Sequence, residues 1–592
     1  MTSPIPPQPY SRALGFLLAV PALLGALITL VLPTGQTIWL SFQSGGILRD
    51  SAYAGTANYA HLLGEAEFWR ALGFTFSMIV FPLLVAVVVG PLLALALDRA
   101  GTWTRRAGRV VLSLAVVTFS PVAVAGAWMR GLTEDATGLA TLADGLREPA
   151  TAPGALRLIV AAATFGLVCA LAVIAFLPAL RGGTPVPAML VVGVLVVLAM
   201  VAVGLQSFSI GLALTRGGPE RVTETLAGLQ YDKAFRTAEF GLGASIAVLT
   251  GVILGVLGII ATIVAVAARL SITVNRRAAS DPAPQGPYDP ASGIPGGEPT
   301  PGSAVPLPPP AAPGAVPGPV SPYLPGPVSG DGGQAPARTA ANPVAVAVGV
   351  VALVVVVVAA FVLTWPWMDG VLASPSTEAG SLRAFVNTWV PAIVGAFVSV
   401  GVAYLAALGI GGLRPLGRAS EWLLLLFAPW LFVGTGPLGV ANWQNIRNLG
   451  LIDTLPALIP PLLVSVPALF VLTLLCKGLA ERTDKDFFAG VFLPSLPMAG
   501  ILVGAVTLVN AHDLGWPLLV AQNAELFTTP VAQLALLSGY SGVAPDVAAG
   551  TPLLVVAVAL AALVAAQLLY LDRLAVATNG AANRSPERTP VA

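Results

Sequence analysis

Charged residues are scarce in this sequence. Asp, Glu, Lys and Arg together make up 10% of the 592 residues, whereas 56% of the residues are hydrophobic. A typical soluble domain has about 25% charged residues, so this chain cannot cover a soluble surface of its size. The composition excludes a soluble protein and predicts one that crosses a membrane many times. The formal net charge of +1 gives no indication of nucleic-acid binding.

Cysteine and histidine are almost absent. Cys169 and Cys476 lie in apolar runs and are predicted to be small buried hydrophobic residues. With these two cysteines, and with His61 and His512 far apart, the sequence has no disulfide framework, metal-ligand spacing or catalytic constellation. A G-x4-G-K-[ST] phosphate loop is also missing. We therefore expect neither an enzyme nor a bound cofactor, and ATP would act only through a separate ATPase subunit.

Long apolar runs, by contrast, are abundant. Twelve runs approach the roughly 20 residues with which a helix crosses a bilayer. The first six are Ala13–Leu32, Ala71–Leu97, Val110–Trp128, Leu156–Leu180, Ala188–Phe208 and Gly241–Ala268. The other six are Pro343–Leu363, Ala384–Ile410, Trp422–Val440, Leu455–Cys476, Val491–Val509 and Thr551–Leu571. The first run is too long for a signal-peptide core and is expected to stay uncleaved. The pattern predicts an all-α integral membrane protein with about twelve transmembrane helices in two six-helix bundles.

A segment rich in Pro, Gly and Ala separates the two groups of runs. Residues 278–342 are predicted to be a disordered linker, either a plain spacer or, as the less favoured alternative, a proline-rich binding ligand. The linker divides the chain into a first bundle, 1–277, and a second bundle, 343–574. Residues 575–592 are expected to form a disordered tail.

Basic residues predict the orientation of the spans. They are denser on one side, which the positive-inside rule makes cytoplasmic. That side carries Arg12, Arg99, Arg105, Arg106, Arg109, Arg181, Arg269, Arg276, Arg277, Arg414, Arg418, Lys477, Arg482, Lys485 and Arg573. We expect a multi-pass protein of the cell membrane, in contact with membrane lipid, whose termini and linker are all cytoplasmic.

The second half contains an ordered set of short motifs. They are Gly450-Leu-Ile-Asp453-Thr454, Leu493-Pro494, Asp513, Trp516-Pro517-Leu518 and Glu525-Leu-Phe-Thr-Thr-Pro530. In this order and spacing they resemble the permease subunits of carbohydrate-type ABC importers, the maltose and glycerol-phosphate family.

The first half resembles the partner permease subunit of the same family. The similar segments are Gly55 to Leu72, Arg216-Gly-Gly-Pro219, Thr223-Glu-Thr-Leu226 and Phe240-Gly241. The chain thus looks like two permease subunits fused through the linker. The resemblance implies two binding-protein-dependent permease-like bundles that form the translocation pore for a carbohydrate-like solute. It also implies an extracellular solute-binding protein and cytoplasmic ABC ATPase subunits as partners.

The family's E-A-A-x3-G motif, a short helix that docks on the ATPase, is missing from both halves. Only seven residues, Arg181 to Pro187, separate the fourth and fifth runs of the first half. In the second half a short helix could still form a docking loop, with Glu481, Arg482, Asp484, Phe487 and Phe488 as candidate residues. A charged solvated loop is an equally good interpretation. The absence makes a permease-derived protein uncoupled from any ATPase, with an accessory or regulatory role, the alternative function.

Polar residues within the spans or at their ends are candidates for the solute path. They are Gln206, Ser207, Ser209, Asn387, Thr388, Thr507 and Asn510. Polar groups in hydrocarbon must find partners, so these side chains face the protein interior or a wet cavity. Hydrogen bonds between helices explain each of them, taken singly, better than contact with solute does. Acidic residues are nearly absent from the spans, which argues against the remaining alternative, a proton-coupled secondary carrier.

Overall fold

A computed structural model describes residues 9–46, 49–129, 138–182, 185–274, 343–373, 382–482, 486–538 and 553–578. The predicted linker and nearly all of the predicted tail lie outside these ranges. The tail prediction begins inside a strand that ends at Ala577.

The first half is almost entirely helical. Its helices are α1 (Pro9–Ala26), α2 (Leu32–Ser41), α3 (Ala57–Gly64), α4 (Ala66–Leu84), α5 (Gly90–Arg99), α6 (Thr102–Thr118), α7 (Pro121–Met129), α8 (Ala152–Leu180), α9 (Pro185–Leu205), α10 (Ser209–Leu214), α11 (Leu226–Tyr231) and α12 (Phe240–Ala267). Short π-helical turns, Leu27–Val31 and Val85–Val89, join α1 to α2 and α4 to α5. The strands are β1 (Gln43–Gly46), β2 (Arg49–Tyr53) and β3 (Ser271–Val274).

The second half contains the remaining elements. Its helices are α13 (Pro343–Ala373), α14 (Leu382–Ala407), α15 (Gly439–Asn448), α16 (Val466–Ala480), α17 (Leu493–Ala511), α18 (Gly515–Val520), α19 (Thr529–Ser538) and α20 (Leu553–Leu569). The π-helical turn Leu408–Leu413 extends α14, and Phe488–Phe492 leads into α17. Strand β4 (Leu574–Ala577) follows α20.

The helices confirm the predicted fold class, an all-α integral membrane protein. In the part of the chain that the structure describes, nine helices are long and apolar enough to cross a membrane, or ten if the bent pair α6–α7 is one span. The bend in that pair is 78°. It falls at Ser120 and Pro121, where proline disfavours a helical conformation for the residue before it.

Two predicted runs of the second half are not continuous helices. Trp422–Val440 consists of 3₁₀ and other turns until α15 begins at Gly439, and Leu455–Cys476 becomes α-helical only from Val466. Both runs contain prolines, at 429 and 437 in the first and at 456, 460, 461 and 467 in the second. Proline removes a backbone donor and clashes with the preceding helical turn. Length and apolarity alone therefore predict two continuous transmembrane helices that the structure does not have in these runs.

The first span of each half packs against the other half. Helix α1 contacts α14 and the turn Leu408–Leu413, where Gly15 and Gly409 approach so closely that neither has room for a larger side chain. Helix α13 contacts α5 and α8, with Gly349 against Ala100. Small residues permit such close helix contacts in membranes. The two halves are therefore interlocked through the first span of each.

Strands occur at both ends of the spans. The hairpin β1–β2 and helix α3 pack beside the start of α12, where the Asn58 side-chain amide donates to the carbonyl oxygens of Ser41 and Gln43, both at 2.8 Å. Strands β3 and β4 lie at the opposite ends of the spans. We call the face with β1 and β2 the loop face, and the face with β3 and β4 the ribbon face.

Candidate functional site

Two strands from the two halves pair on the ribbon face. Strand β3 follows the last span of the first half and β4 follows the last span of the second half. They form an antiparallel ribbon in which Ser271 lies opposite Ala577 and Val274 lies opposite Leu574. Because equivalent ends of the two halves meet, the ribbon lies between them and belongs to both.

Each strand of the ribbon rests on the half that did not supply it. Strand β3 lies on α16, where Gly478 faces the carbonyl oxygen of Ile272. Strand β4 lies on the end of α8, where Gly182 faces the carbonyl oxygen of Val576. A Cβ atom at either glycine would overlap the facing oxygen. The two glycines thus set how closely the halves approach on the ribbon face.

A buried ion pair stabilises the β3 side of this contact. The Lys477 ammonium group donates to the carboxylate of Glu421 at 2.7 Å and to the carbonyl oxygen of Leu270 at 3.0 Å. Both charged side chains are buried. Arg414 lies 3.7 Å from the other oxygen of Glu421. Lys477 therefore joins α16 and the 417–426 turn of its own half to the residue that precedes β3.

A cluster of arginines surrounds Asp572 on the β4 side. Arg181 donates to the backbone and the carboxylate of Asp572, the latter at 3.0 Å. Arg105, Arg106 and Arg109 of α6 approach the same carboxylate at 3.4, 3.3 and 3.2 Å. We call these four arginines the arginine cluster. It ties the last span of the chain to α6 and α8 of the first half.

Among the candidate path residues, Gln206 lies at the contact between the halves. Its side-chain amide donates to the carbonyl oxygen of Phe432 at 2.8 Å and accepts from the backbone N–H of Gly434 at 2.8 Å. Gln230 donates to the carbonyl oxygen of Gly436 two residues further on, also at 2.8 Å. We call residues 432–436 the central segment. Three of its backbone groups bond to side chains of the first half.

The central segment also approaches α17. The Thr435 hydroxyl donates to Asp513 at 3.4 Å, and Asp513 accepts from the backbone N–H of Gly515 at 3.0 Å. Burial raises the pKa of Asp513, and these hydrogen bonds oppose that rise. Ser207 and Ser209 follow Gln206 in the sequence, between α9 and the first residue of α10, and both are partly exposed. The carboxylate and the two amides give the central segment hydrogen-bonding groups that a hydroxylated solute could share.

The second-half path candidates lie between α14, α17 and the segment before α19. Asn387 donates to the carbonyl oxygen of Glu525 at 2.9 Å, and Thr388 lies 3.0 Å from Thr529. Asn510 donates to the carbonyl oxygen of Ala392 at 3.3 Å, and Thr507 is partly exposed on α17. Three of these four side chains thus form hydrogen bonds with other protein groups. None of those bonds involves Gln206 or the central segment.

The candidate docking loop is described in part. Asp484 lies outside the described residues. Glu481 pairs with Arg414 at 2.8 Å, and Arg482 follows it in a turn. Phe487 begins the helical segment that continues into α17 and covers Gly412, whereas Phe488 is 57% exposed. Phe487 and Phe488 thus form the first turn of the span that contains α17, at its end on the ribbon face.

The loop face carries its own ion network. Arg221 pairs with Glu67 and Asp232, Lys233 lies 3.3 Å from Glu67, and Arg236 lies 2.9 Å from Asp232. Beside this network Glu224 is buried and lines a small cleft. Burial raises its pKa to about 7; the charge of Arg221 opposes this rise, and those of Asp232 and Glu67 add to it.

Sequence reasoning missed the central segment and the ribbon. The only sequence signal for the first was Gly434-Thr-Gly436-Pro437 inside an apolar run, which interrupts a helix. The ribbon residues are ordinary apolar and small side chains just past a span, and their pairing depends on residues about 300 positions apart, Thr273 and Ala575 among them.

The apolar helices of the described residues define a multi-pass membrane protein. No family model matches the chain. It is similar to the trehalose transport system permease protein SugA of Mycobacterium tuberculosis, in strains CDC 1551 / Oshkosh and H37Rv, with 31% identity over 90 residues. The aligned part covers 15% of this chain and 29% of the relative, so the chain spans less than a third of the relative's length.

Proposed function

We propose that this chain forms the translocation pore of an ABC-type importer for a carbohydrate-like solute. The observation that carries the proposal is the reciprocal packing of the two halves, with α1 and β3 on the second half and α13 and β4 on the first. Two half-channels that enclose one path need such an interface. The local similarity to a trehalose permease supports sugar as the class of solute.

The proposal assigns a side to each face. The ribbon face, with Arg181, Lys477 and the arginine cluster, is cytoplasmic by the positive-inside rule. There an ABC ATPase would contact Glu481, Arg482 and the exposed Phe488. The loop face, with the β1–β2 hairpin and the Arg221 ion network, would receive a solute-binding protein. Both termini would then be cytoplasmic.

Gln206, Gln230 and Asp513 around the central segment are the groups that we propose to border the solute path. Amides and carboxylates form hydrogen bonds with the hydroxyl groups of a carbohydrate. Their present bonds to the central segment would be exchanged for bonds to solute as the halves move. Asn387, Thr388 and Asn510 would act as ties between helices beside this path.

Uptake by reconstituted vesicles tests the proposal. Vesicles containing the full chain, together with an ATPase and a binding protein that co-purify with it from solubilised membranes, are expected to accumulate labelled trehalose only with ATP. Vesicles without the chain are the control. If no ATPase co-purifies, or if accumulation does not depend on ATP, the importer proposal fails.

The ribbon favours a second candidate function. It packs against the ends of α8 and α16, after which the family's coupling helices would begin, and the E-A-A motif is missing from both loops. A permanently closed ribbon would suit a permease-derived protein that no longer couples to an ATPase and has an accessory role in the membrane.

A disulfide across the ribbon separates the two candidates. Ile272 and Val576 are directly opposed in the antiparallel pairing, a spacing that a disulfide can bridge. In an importer, oxidising the Ile272→Cys/Val576→Cys variant should abolish ATP-dependent uptake, and a reductant should restore it. In an uncoupled protein there is no ATP-dependent uptake in either state. The native Cys169 and Cys476 are buried, and the two single variants are the matched controls.

A further inference from the structure

The arginine cluster carries more positive charge than its carboxylates neutralise. Its four guanidinium groups pair with Asp572 and, through Arg105 at 3.3 Å and Arg181 at 3.7 Å, with Asp98. Four positive groups against two carboxylates leave two positive charges at this place on the ribbon face. Such an excess is costly to bring together unless an anion joins it.

The cluster also contains a hydrogen-bond donor that has no partner among the described residues. Arg109 is 2% exposed, and its Nε has no hydrogen-bond partner among the described residues. Helix α6 begins at Thr102 beside the cluster, with no acidic residue in its first turn. The N–H groups at a helix start, together with the helix dipole, favour an anion. The cluster thus contains a buried donor without a partner, and the 17-residue helix that carries three of its four arginines begins three residues before the first of them, Arg105.

Exposed side chains along α6 indicate the depth of this site in the membrane. Trp103 is 86% exposed and the side chain of Arg106 is 47% exposed, while Val111 and Leu114 are exposed further along the helix. At helical spacing Trp103, Val111 and Leu114 share one face. Tryptophan favours the boundary between headgroups and acyl chains. The stripe thus changes from aromatic and basic to aliphatic, in the same order as a phospholipid changes from headgroup to chain.

We propose that the arginine cluster binds the phosphate of an acidic phospholipid, with Arg106 and Trp103 at the headgroup and Val111 and Leu114 along an acyl chain. The cluster supplies the charge complementarity, and the aliphatic stripe favours a lipid over a soluble phosphate. This inference does not depend on transport.

The test uses the full-length protein, purified in detergent and stripped of lipid. Its unfolding temperature is titrated with dioleoylphosphatidylglycerol, with dioleoylphosphatidylcholine and with inorganic phosphate. We expect phosphatidylglycerol to stabilise the protein at lower concentration than phosphatidylcholine, and inorganic phosphate to have little effect. If inorganic phosphate stabilises the protein as well as phosphatidylglycerol does, the site takes a soluble anion and the lipid proposal is overturned.

Two variants of opposite sign sharpen the result. Arg106→Gln removes one exposed charge and should weaken the apparent affinity for phosphatidylglycerol about fivefold, whereas Asp98→Asn frees one charge and should strengthen it about fivefold. Arg418→Gln, an exposed arginine of the ribbon face in the second half, is the matched control and should change nothing. Equal effects of Arg106→Gln and Arg418→Gln would refute the site.

Discussion

Arg181 and Asp572 are 391 residues apart in sequence, yet the guanidinium group of one donates to the carboxylate of the other at 3.0 Å. The contact joins the end of α8 to the residue that follows the last span of the chain. On the other side of the ribbon, Lys477 at the end of α16 donates to Leu270, just past the last span of the first half, at 3.0 Å. A basic residue at equivalent positions thus secures the ribbon from both halves.

The close contact at Gly478 should be sensitive to a single methyl group. Gly478→Ala places a Cβ against the carbonyl oxygen of Ile272, so β3 must move away from α16. We expect a loss of about 1–3 kcal/mol in stability, as for other overpacked interiors. The measurement is the unfolding midpoint in detergent. Gly500→Ala, in α17 with open space around it, is the control and should be neutral or slightly stabilising. Equal midpoints for the two variants would show that the ribbon does not press on α16.

The buried pair of Lys477 and Glu421 should be strongly coupled. Lys477→Met leaves the Glu421 carboxylate buried, with only Arg414 near it. Removing one member of a buried ion pair costs about 3–5 kcal/mol. The double variant Lys477→Met/Glu421→Gln removes both charges and should recover much of this loss. Unfolding midpoints of the two single variants and the double variant give the coupling, and strict additivity would contradict the pairing.

Gln206 should stabilise the central segment. Gln206→Leu leaves the carbonyl group of Phe432 and the N–H group of Gly434 without their present partner. An unsatisfied buried polar group costs about 1–3 kcal/mol. These two groups are part-buried, so the unfolding midpoint should fall by less than a fully buried site would give, together with transport. Gln522→Leu, an exposed glutamine on the loop face, is the comparison variant. A rise in KM for solute with an unchanged midpoint would instead mean that Gln206 contacts solute without holding the segment.

Glu224 should make stability depend on pH. Its pKa is raised from the ordinary value of 4.5 to about 7 because the side chain is buried. The folded protein therefore keeps a proton that the unfolded chain loses, and stability should fall as pH rises between these values. The full effect is about 3 kcal/mol, present below the lower value and lost above the higher one.

Unfolding midpoints measured across this pH range test that expectation. The charged groups that face Glu224 are Arg221, Asp232, Glu67 and Arg236. Glu224→Gln should flatten the dependence. A slope that persists unchanged in this variant would place the titrating group elsewhere.

The sequence was most informative where local chemistry decides the structure. Runs such as Leu156–Leu180 and Gly241–Ala268 correspond to α8 and α12 within a few residues. A continuous apolar run in lipid must satisfy its backbone hydrogen bonds internally, and a helix achieves this within the run itself. Where prolines interrupt the run, as at Pro429 and Pro460, the same reasoning predicted spans that the structure does not form as continuous helices.

The site was less accessible from the sequence. Gln206 was a candidate for the solute path because it is polar in an apolar run, but its partners, Phe432 and Gly434, lie more than 200 residues away. Nothing near Gln206 in sequence identifies them, since they bond through backbone groups that every residue has. The prediction that Gln206 borders the path stays a prediction, and the structure adds the segment that it contacts.

The sequence by itself determined that this protein lies in a membrane and that it is helical; the division of its spans into two groups around a linker stays a prediction. Burial of apolar side chains in lipid depends on composition and run length, which any stretch of sequence displays. Only the tertiary structure decided that α1 and α13 pack on opposite halves, that β3 pairs with β4, and that one carboxylate gathers four arginines. Those contacts depend on shape and charge at residues far apart in the chain, and small residues such as Gly182 and Gly478 permit them only when the partner backbone is already in place.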